Sequence, residues 1–294
     1  MKVSVEFVKF LTNKLNLSEV KYLPSIKGSV NKHLIAQSKE IGNNVFIKLY
    51  KSFKKYAREG YCYKLIKNSG MSVKNTMDVV TEGENFGIYW RAFIALELHN
   101  FYPIYSEDYV NAGMLLGEIH KNTINRCSPK IRQYQSIIDC LHLKIKLIHS
   151  ENNDTDFPYM GLFRHFESIS EKLRMQEKKI PKALLHGDFG WRNIAIDKSS
   201  SDLVIYDFED SAFGPVSLDF AKLLDRELKL ESNFNLFMSG YSNSLNHKII
   251  VSREYWQAVS LWCALGILPY AKKTQDTEFK NHALQILDKL NNEI

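Results

Sequence analysis

Asp188, Asn193 and Asp207 are the residues of this chain whose types and spacing point to chemistry. Asp188 sits in Leu185-His186-Gly187-Asp188-Phe189-Gly190-Trp191-Arg192-Asn193, and Asp207 follows the run Val204-Ile205-Tyr206. Asn193 comes five residues after Asp188, and Asp207 nineteen. Two short strands around the intervening turn would form a hairpin that can bring Asn193 and Asp207 side by side. One amide oxygen and one carboxylate, completed by phosphate oxygens and water, suit magnesium. Asp188 would face the same spot without being an obligate ligand, and it could orient or receive a hydroxyl proton. A metal that spreads charge and a carboxylate that aims the nucleophile are what phosphoryl transfer needs.

His186-Gly187-Asp188, Asn193 and Asp207-Phe208, continued by Gly214-Pro215 and Asp219-Phe220-Ala221, resemble the signature of the aminoglycoside phosphotransferase and choline kinase group. These are small-molecule kinases with a protein-kinase-like fold. Leu116-Gly117-Glu118-Ile119-His120 is similar to the group's helix ahead of its helical insert, and with Lys48 the resemblance spans about residues 25–270. It implies Asp188 as catalytic base, His186 as a residue that helps hold the catalytic loop, Asn193 and Asp207 as magnesium ligands, and Asp219 as a buried brace. It also implies ATP (or GTP) with Mg2+. The adenine would contact the backbone of 93–96, Phe93 and Ala95 included, with Ile47 and Ile205 or Tyr206 as apolar walls.

The phosphates need a cation. Phe46-Ile47-Lys48-Leu49-Tyr50 places a lysine in an apolar strand, where an ammonium is costly to bury unless paired. Side chains alternate along a strand, so Ile47 and Leu49 would face a core and Lys48 the opposite side. Lys48 resembles the strand lysine that holds nucleotide phosphates. Glu59, eleven residues on, is its candidate partner, with an exposed pair to Lys55 as the alternative. The loop 26–33, with Ser29 as candidate phosphate contact, has a single glycine and departs from G-x-G-x-x-G. A plain hairpin turn is the other reading of it. No Walker P-loop occurs in the chain.

These residues need elements to position them. Val3, Phe7, Phe10 and Leu11 share one helical face near the N-terminus. Residues 34–37 and 45–50 read as a hairpin, followed by a helix over 54–67 and strands over 77–81 and 87–94 joined at 82–85. From residue 106 helices dominate, at 109–121, 136–149 and 162–176. Short strands follow at 183–185, 194–196 and 203–206. The rest, from 218, is helical, and Ala283, Leu287, Leu290 and Ile294 mark the last amphipathic face. The expected fold is α+β and bilobal: a small β-sheet nucleotide-binding lobe over 1–96, and a larger, mainly helical catalytic and acceptor-binding lobe over 97–294.

The chain has 294 residues, 45% hydrophobic and 24% charged, an ordinary globular composition that argues against disorder and coiled coil. No run of eighteen apolar residues exists, so a membrane span is not expected. The opening residues are too polar for a secretory signal. The net charge of +6 comes from scattered basic residues, which does not suggest a nucleic-acid partner. Cys62, Cys127, Cys140 and Cys263 have no metal spacing and read as free thiols of a cytoplasmic protein.

The acceptor has two competing signals. Glu151, Asp154, Asp156, Glu227 and Glu231 could attract a polycation. Trp191, Tyr255, Trp256, Trp262 and Tyr270 could cage a quaternary ammonium, although core packing is the plainer reading. The reading that follows is transfer of a γ-phosphate to a small-molecule hydroxyl, first of an aminoglycoside-type or related antibiotic and so a resistance function. A metabolic kinase for choline, an amino alcohol or a sugar is the alternative, and a nucleotide-binding pseudokinase the rival from another class. A monomer or weak dimer is expected.

Overall fold

The structure, a computed structural model, describes residues 3–24, 31–70, 76–126, 128–129, 131–134, 136–151 and 158–294. It divides into two compact units. Met1–Tyr102 and Trp191–Asp210 form the first, Pro103–Gly190 and Ser211–Ile294 the second. The expected boundary at residue 96 leaves 97–102 and 191–210 in the second lobe, whereas the contacts join both to the first. Pairing explains this. β6 (Leu98–Asn100) adds to the edge of β9 (Ile194–Asp197), which also pairs with β10 (Leu203–Ile205).

The first unit is built on a five-stranded antiparallel sheet of β1 (Leu17–Tyr22), β2 (Lys32–Ser38), β3 (Asn43–Tyr50), β5 (Ile88–Ile94) and β4 (Val79–Asn85), in that spatial order. α1 (Val5–Lys14) is capped by Ser4, whose Oγ accepts from the Phe7 N–H at 3.2 Å. Its Phe7 and Leu11 pack on Leu34, Val45, Ile47, Leu49 and Trp90, each such apolar side chain worth about 1.5–3 kcal/mol on burial. α2 (Phe53–Asn68) turns Glu59, Tyr63 and Ile66 inward. Tyr63 meets the rings of Phe93 and Phe208, both at 5.4 Å. Beside α2 lies a cavity of about 210 Å³ whose lining includes Gly60, Tyr63, Ile66, Met77 and Arg91.

The expected turn at 82–85 is strand. Gly83 sits opposite Trp90 in the ladder, where a Cβ would come 3.1 Å from the indole. The turn falls instead at Phe86 and Gly87, both with positive φ (54° and 70°), as a two-residue hairpin connection requires. β1 and β6 have little apolar alternation and were not expected.

The second unit is mainly helical. α3 (Ser106–Thr123), α4 (Ile137–Glu151), α5 (Met160–Ser168) and α6 (Ser170–Glu177) precede the segment 186–193. α7 (Ala221–Arg226), α8 (Glu231–Leu245), α9 (Arg253–Thr274) and α10 (Thr277–Asn292) follow it. The single helix expected over 162–176 breaks at Ile169. A small sheet orders β7 (Arg132–Gln133), β11 (Ala212–Pro215) and β8 (Lys182–Leu185). α3 and α8 meet backbone to backbone. A Cβ at Gly113 would lie 2.1 Å from the Phe237 carbonyl oxygen, and one at Gly240 2.0 Å from that of Val110. In α10, Ala283, Leu287 and Leu290 are buried, while Ile294 lies beyond the helix and is exposed. No described helix is long and apolar enough to cross a membrane.

Candidate active site

In the first unit, the alternation of β3 sends Ile47 and Leu49 into the core and Lys48 to the other face. There Lys48 Nζ lies 2.9 Å from Glu59 Oε2, 2.6 Å from Asp207 Oδ1 and 3.2 Å from Glu209 Oε2. Burial by itself would push the Lys48 pKa down. The three carboxylates, Glu59 first, more than reverse that and hold the ammonium well above its ordinary range. Glu59 is 1% exposed, so the alternative of an exposed pair with Lys55 does not hold. Lys55 instead reaches Glu209 Oε1 at 2.7 Å. Asn31 also donates to Glu209, and Arg58 donates to the Glu209 carbonyl at 3.0 Å.

The expected hairpin is present. Ile194 pairs with Ile205, and the Tyr206 N–H donates to the Asn193 carbonyl at 3.2 Å. Asn193, buried in a 3-10 turn, and Asp207 therefore flank the same end of the ladder. Asp207 takes a left-handed φ of 69° and keeps its side chain 36% exposed. Carboxylate oxygens of Glu59, Asp207 and Glu209 all lie within 4.8 Å of one another. The cation they enclose is the Lys48 ammonium, and Asp207, the most exposed of the three, is the one left open to a second, hard cation.

The other nucleotide-site expectations fare unevenly. Phe93 is buried between Phe46 and Tyr63. Ala95 closes β5 with its N–H on the Asn44 carbonyl at 2.9 Å. Ile47 is not on the face of Lys48, because alternation takes it into the core with Phe7. Phe46, two residues before Lys48 and stacked on His33 at 5.3 Å, shares that face. Ile205 is fully buried and Tyr206 half-buried. Ser29 lies outside the described residues.

In the second unit, Asp188 stands three residues beyond β8. Gly187 takes φ 80°, a conformation that suits glycine, and turns the chain there. Asp219 braces the turn. Its carboxylate accepts from the His186 N–H at 2.7 Å and the Gly187 N–H at 2.8 Å. His120 Nε2 lies 3.1 Å from the same carboxylate, and its Nδ1 is 2.8 Å from the Tyr241 hydroxyl. His186 is 0% exposed and receives the Asp188 N–H on Nδ1 at 3.3 Å. That places it under the loop as a positioning group. Lys222 forms an ion pair with Asp188 Oδ1. An Asp219→Asn variant would turn an amide donor toward one backbone donor. The mismatch should cost about 1–3 kcal/mol. The expected readout is a lower melting temperature and a lower kcat with nucleotide affinity unchanged, measured by thermal unfolding and steady-state kinetics.

Of the five aromatic residues, Tyr255 and Trp256 meet each other at 6.0 Å, and each of the five also has partners of its own. Trp191 meets Phe101 at 5.6 Å, Tyr255 is buried against Ser217, Trp256 packs on Phe220 and Phe234, and Tyr270 on Phe279. Trp262 carries the cation of Lys144 3.8 Å from its ring centroid. Among the acidic residues, Glu227 lies beside Gly190, where a Cβ would be 2.9 Å from its Oε1. Glu231 is exposed at the start of α8, and Glu151 ends α4. Asp154 and Asp156 lie outside the described residues. Glu209 and Lys222 were missed as site residues. Glu209 is legible as the third residue of Asp-Phe-Glu, whereas Lys222 carries no local signal.

The sequence model of the phosphotransferase enzyme family matches residues 42–237. A search of curated proteins found no significant match. Among solved structures, a variant of aminoglycoside 2'-phosphotransferase IIIa with GDP superposes at TM-score 0.71 and 12% identity, covering 99% of this chain and 98% of that one. Choline kinase LicA from Streptococcus pneumoniae gives TM-score 0.67 at 15% identity over 98% and 99%. Spectinomycin phosphotransferase with ADP and spectinomycin gives 0.65 at 14% over 100% and 95%. These establish the α+β, protein-kinase-like fold. With the family match covering well over half its residues, the chain belongs to the phosphotransferase enzyme family.

Proposed function

We propose that the protein transfers the γ-phosphate of ATP or GTP to a hydroxyl of a small molecule. The observation that carries this reading is Lys48, buried, held by Glu59 and set beside Asp207. In the proposed reaction the acceptor oxygen forms a bond to Pγ, the bond from Pγ to the leaving nucleoside diphosphate breaks, and the hydroxyl proton passes to the Asp188 carboxylate. The first unit binds the nucleotide: Lys48 takes its phosphates, with the backbone at Phe93 to Ala95 beside the base. The second unit presents the acceptor, and Asp219 and His186 hold Asp188 in place for it.

Asn193 and Asp207 would hold Mg2+, which when bound neutralises charge on the phosphates. Asp207→Ala should therefore weaken nucleotide binding at least ten-fold in magnesium and change it little in EDTA, as read by fluorescent-nucleotide titration. An equal magnesium response in wild type and variant would remove Asp207 from the metal site.

Aminoglycoside-type antibiotics are the first acceptors to try, with choline and amino alcohols next. Both kinds of kinase occur among the fold neighbours. A donor such as ATP or GTP makes the cytoplasm the site of action. The presence of Lys48, Asp188, Asn193 and Asp207 together argues for turnover rather than a pseudokinase. The test is phosphate transfer from labelled ATP and GTP to aminoglycosides, choline, sugars, hydroxy acids and peptide antibiotics, with Asp188→Asn as control. Nucleotide binding without transfer to any of them would favour the pseudokinase.

A further inference from the structure

Near the Asp188–Lys222 ion pair the second unit carries two more cations, Arg132 and Lys144, with no carboxylate partner among the described residues. Lys222, about one-third exposed, is paired to Asp188 itself. Arg132 reaches the neighbourhood through the small sheet. It pairs with Ala212 of β11, and Ala212 pairs with Leu185 of β8, three residues before Asp188. Arg132 is thus two strand spacings, about 10 Å, from Leu185. Its guanidinium is exposed and lies 4.4 Å from the centroid of the Tyr134 ring.

Tyr134 in turn meets Trp262 edge-on at 6.0 Å, and Lys144 of α4 sits over Trp262. Lys144 Nζ donates only to the Trp262 carbonyl, at 2.6 Å. Among the described residues no carboxylate lies within ion-pair distance of Lys144 or Arg132. The Trp262 indole N–H is also buried without a described acceptor. The Lys144 ammonium has a carbonyl acceptor and no described counter-charge, the exposed Arg132 guanidinium has no described counter-charge, and the Trp262 indole N–H has no described acceptor.

Resting on the phosphotransferase reading, we infer that Arg132, Lys144 and Lys222 form a subsite for an anionic group, carboxylate or phosphate, carried by the acceptor whose hydroxyl faces Asp188. Acceptors are then hydroxy acids or phosphorylated hydroxy compounds, in place of the aminoglycosides and amino alcohols that the fold neighbours alone put first. A polycation placed there would meet like charge, a penalty that sets specificity as much as attraction does. The nearby acids include Asp139 of α4, paired with Arg174 at 3.2 Å, Asp225 of α7, Glu227 beside Gly190 and Glu177 under α4. Glu177 is engaged by the Ile137 N–H at 2.5 Å and by the Tyr255 hydroxyl at 3.4 Å.

Burial, with Arg132 and Lys222 adding to it and the thiols of Cys140 and Cys263 opposing, pushes Lys144 down to about 8. Its charge is present below that pH and lost above it, so anion affinity should fall between pH 7 and pH 9.

The test is calorimetric titration of the full chain, without nucleotide and at constant ionic strength, with inorganic phosphate, gluconate and spermidine. Phosphate or gluconate should bind, at least ten-fold more weakly to Lys144→Met and to Arg132→Gln, and the fall in affinity for gluconate, which does not itself titrate in this range, should vanish in Lys144→Met. Arg132 is exposed, so Arg132→Gln keeps the test open if the buried substitution impairs folding. The two anions tell a carboxylate site from a phosphate site. No anion binding, affinities unchanged in both variants, or spermidine binding more tightly than either anion overturns the inference. Labelled-phosphate transfer separates it from the reading it rests on. Asp188-dependent transfer to a polycation with no effect of Lys144→Met keeps the kinase and removes the subsite. Lys144-dependent anion binding with no transfer to any acceptor does the reverse.

Discussion

Asp188→Asn should lower turnover by about 10² to 10⁴ while leaving nucleotide affinity unchanged. The substitution keeps the volume of the side chain and the backbone bonds from His186 and Gly187 to Asp219. What it removes is the oxygen able to take a proton, together with the charge that holds Lys222. The Lys48 cluster belongs to the other unit. Single-turnover kinetics beside nucleotide titration separates the two effects. A rate within a few-fold of wild type would take Asp188 out of the chemistry.

Lys48→Ala is expected to damage both stability and rate. Glu59 is 1% exposed and would lose the cation 2.9 Å away. Stranding a buried carboxylate in this way costs about 3–5 kcal/mol. One charge-assisted contact to phosphate contributes about 1.5–3 kcal/mol, so kcat/KM for nucleotide should fall roughly ten- to a hundred-fold. The double variant Lys48→Met with Glu59→Gln distinguishes the two losses. Removing both charges should restore much of the melting temperature and none of the activity. Recovery of activity in the double variant would show that Lys48 serves folding alone.

The parts of the site legible from sequence are those written in local pattern. Alternation along 45–50 was enough to set Lys48 apart from Ile47 and Leu49, and the same rule, followed through, excludes Ile47 from the face of Lys48. The Asn193 and Asp207 hairpin followed from two apolar runs around a turn. Long-range partners were not legible. Glu209 meets Asn31 from 178 positions away and Lys55 from 154, and no spacing rule reaches that far. Lys222 meets Asp188 because α7 begins at Ala221, two residues after the bracing Asp219, a fact of packing. The hairpin turn falls at Phe86 and Gly87 and not at Gly83, although a glycine among polar residues reads locally as a turn. The small size of Gly83 instead makes room for the Trp90 indole across the ladder. The 97–102 segment joined the first unit through backbone pairing with β9, which side-chain pattern does not report.

The glycine seam between α3 and α8 bears on how the protein answers hydrostatic pressure. Pressure favours states that eliminate internal void, in proportion to the void they remove. At Gly113 and Gly240 the two helices touch through their main chains, leaving no gap to collapse. The cleft beside α2 next to Gly60 and Arg91 is open to water and likewise offers pressure no internal void to remove. Compression should therefore part α3 from α8 among the last contacts of the second unit. The Tyr241 and His120 support beneath Asp188 would be held with them.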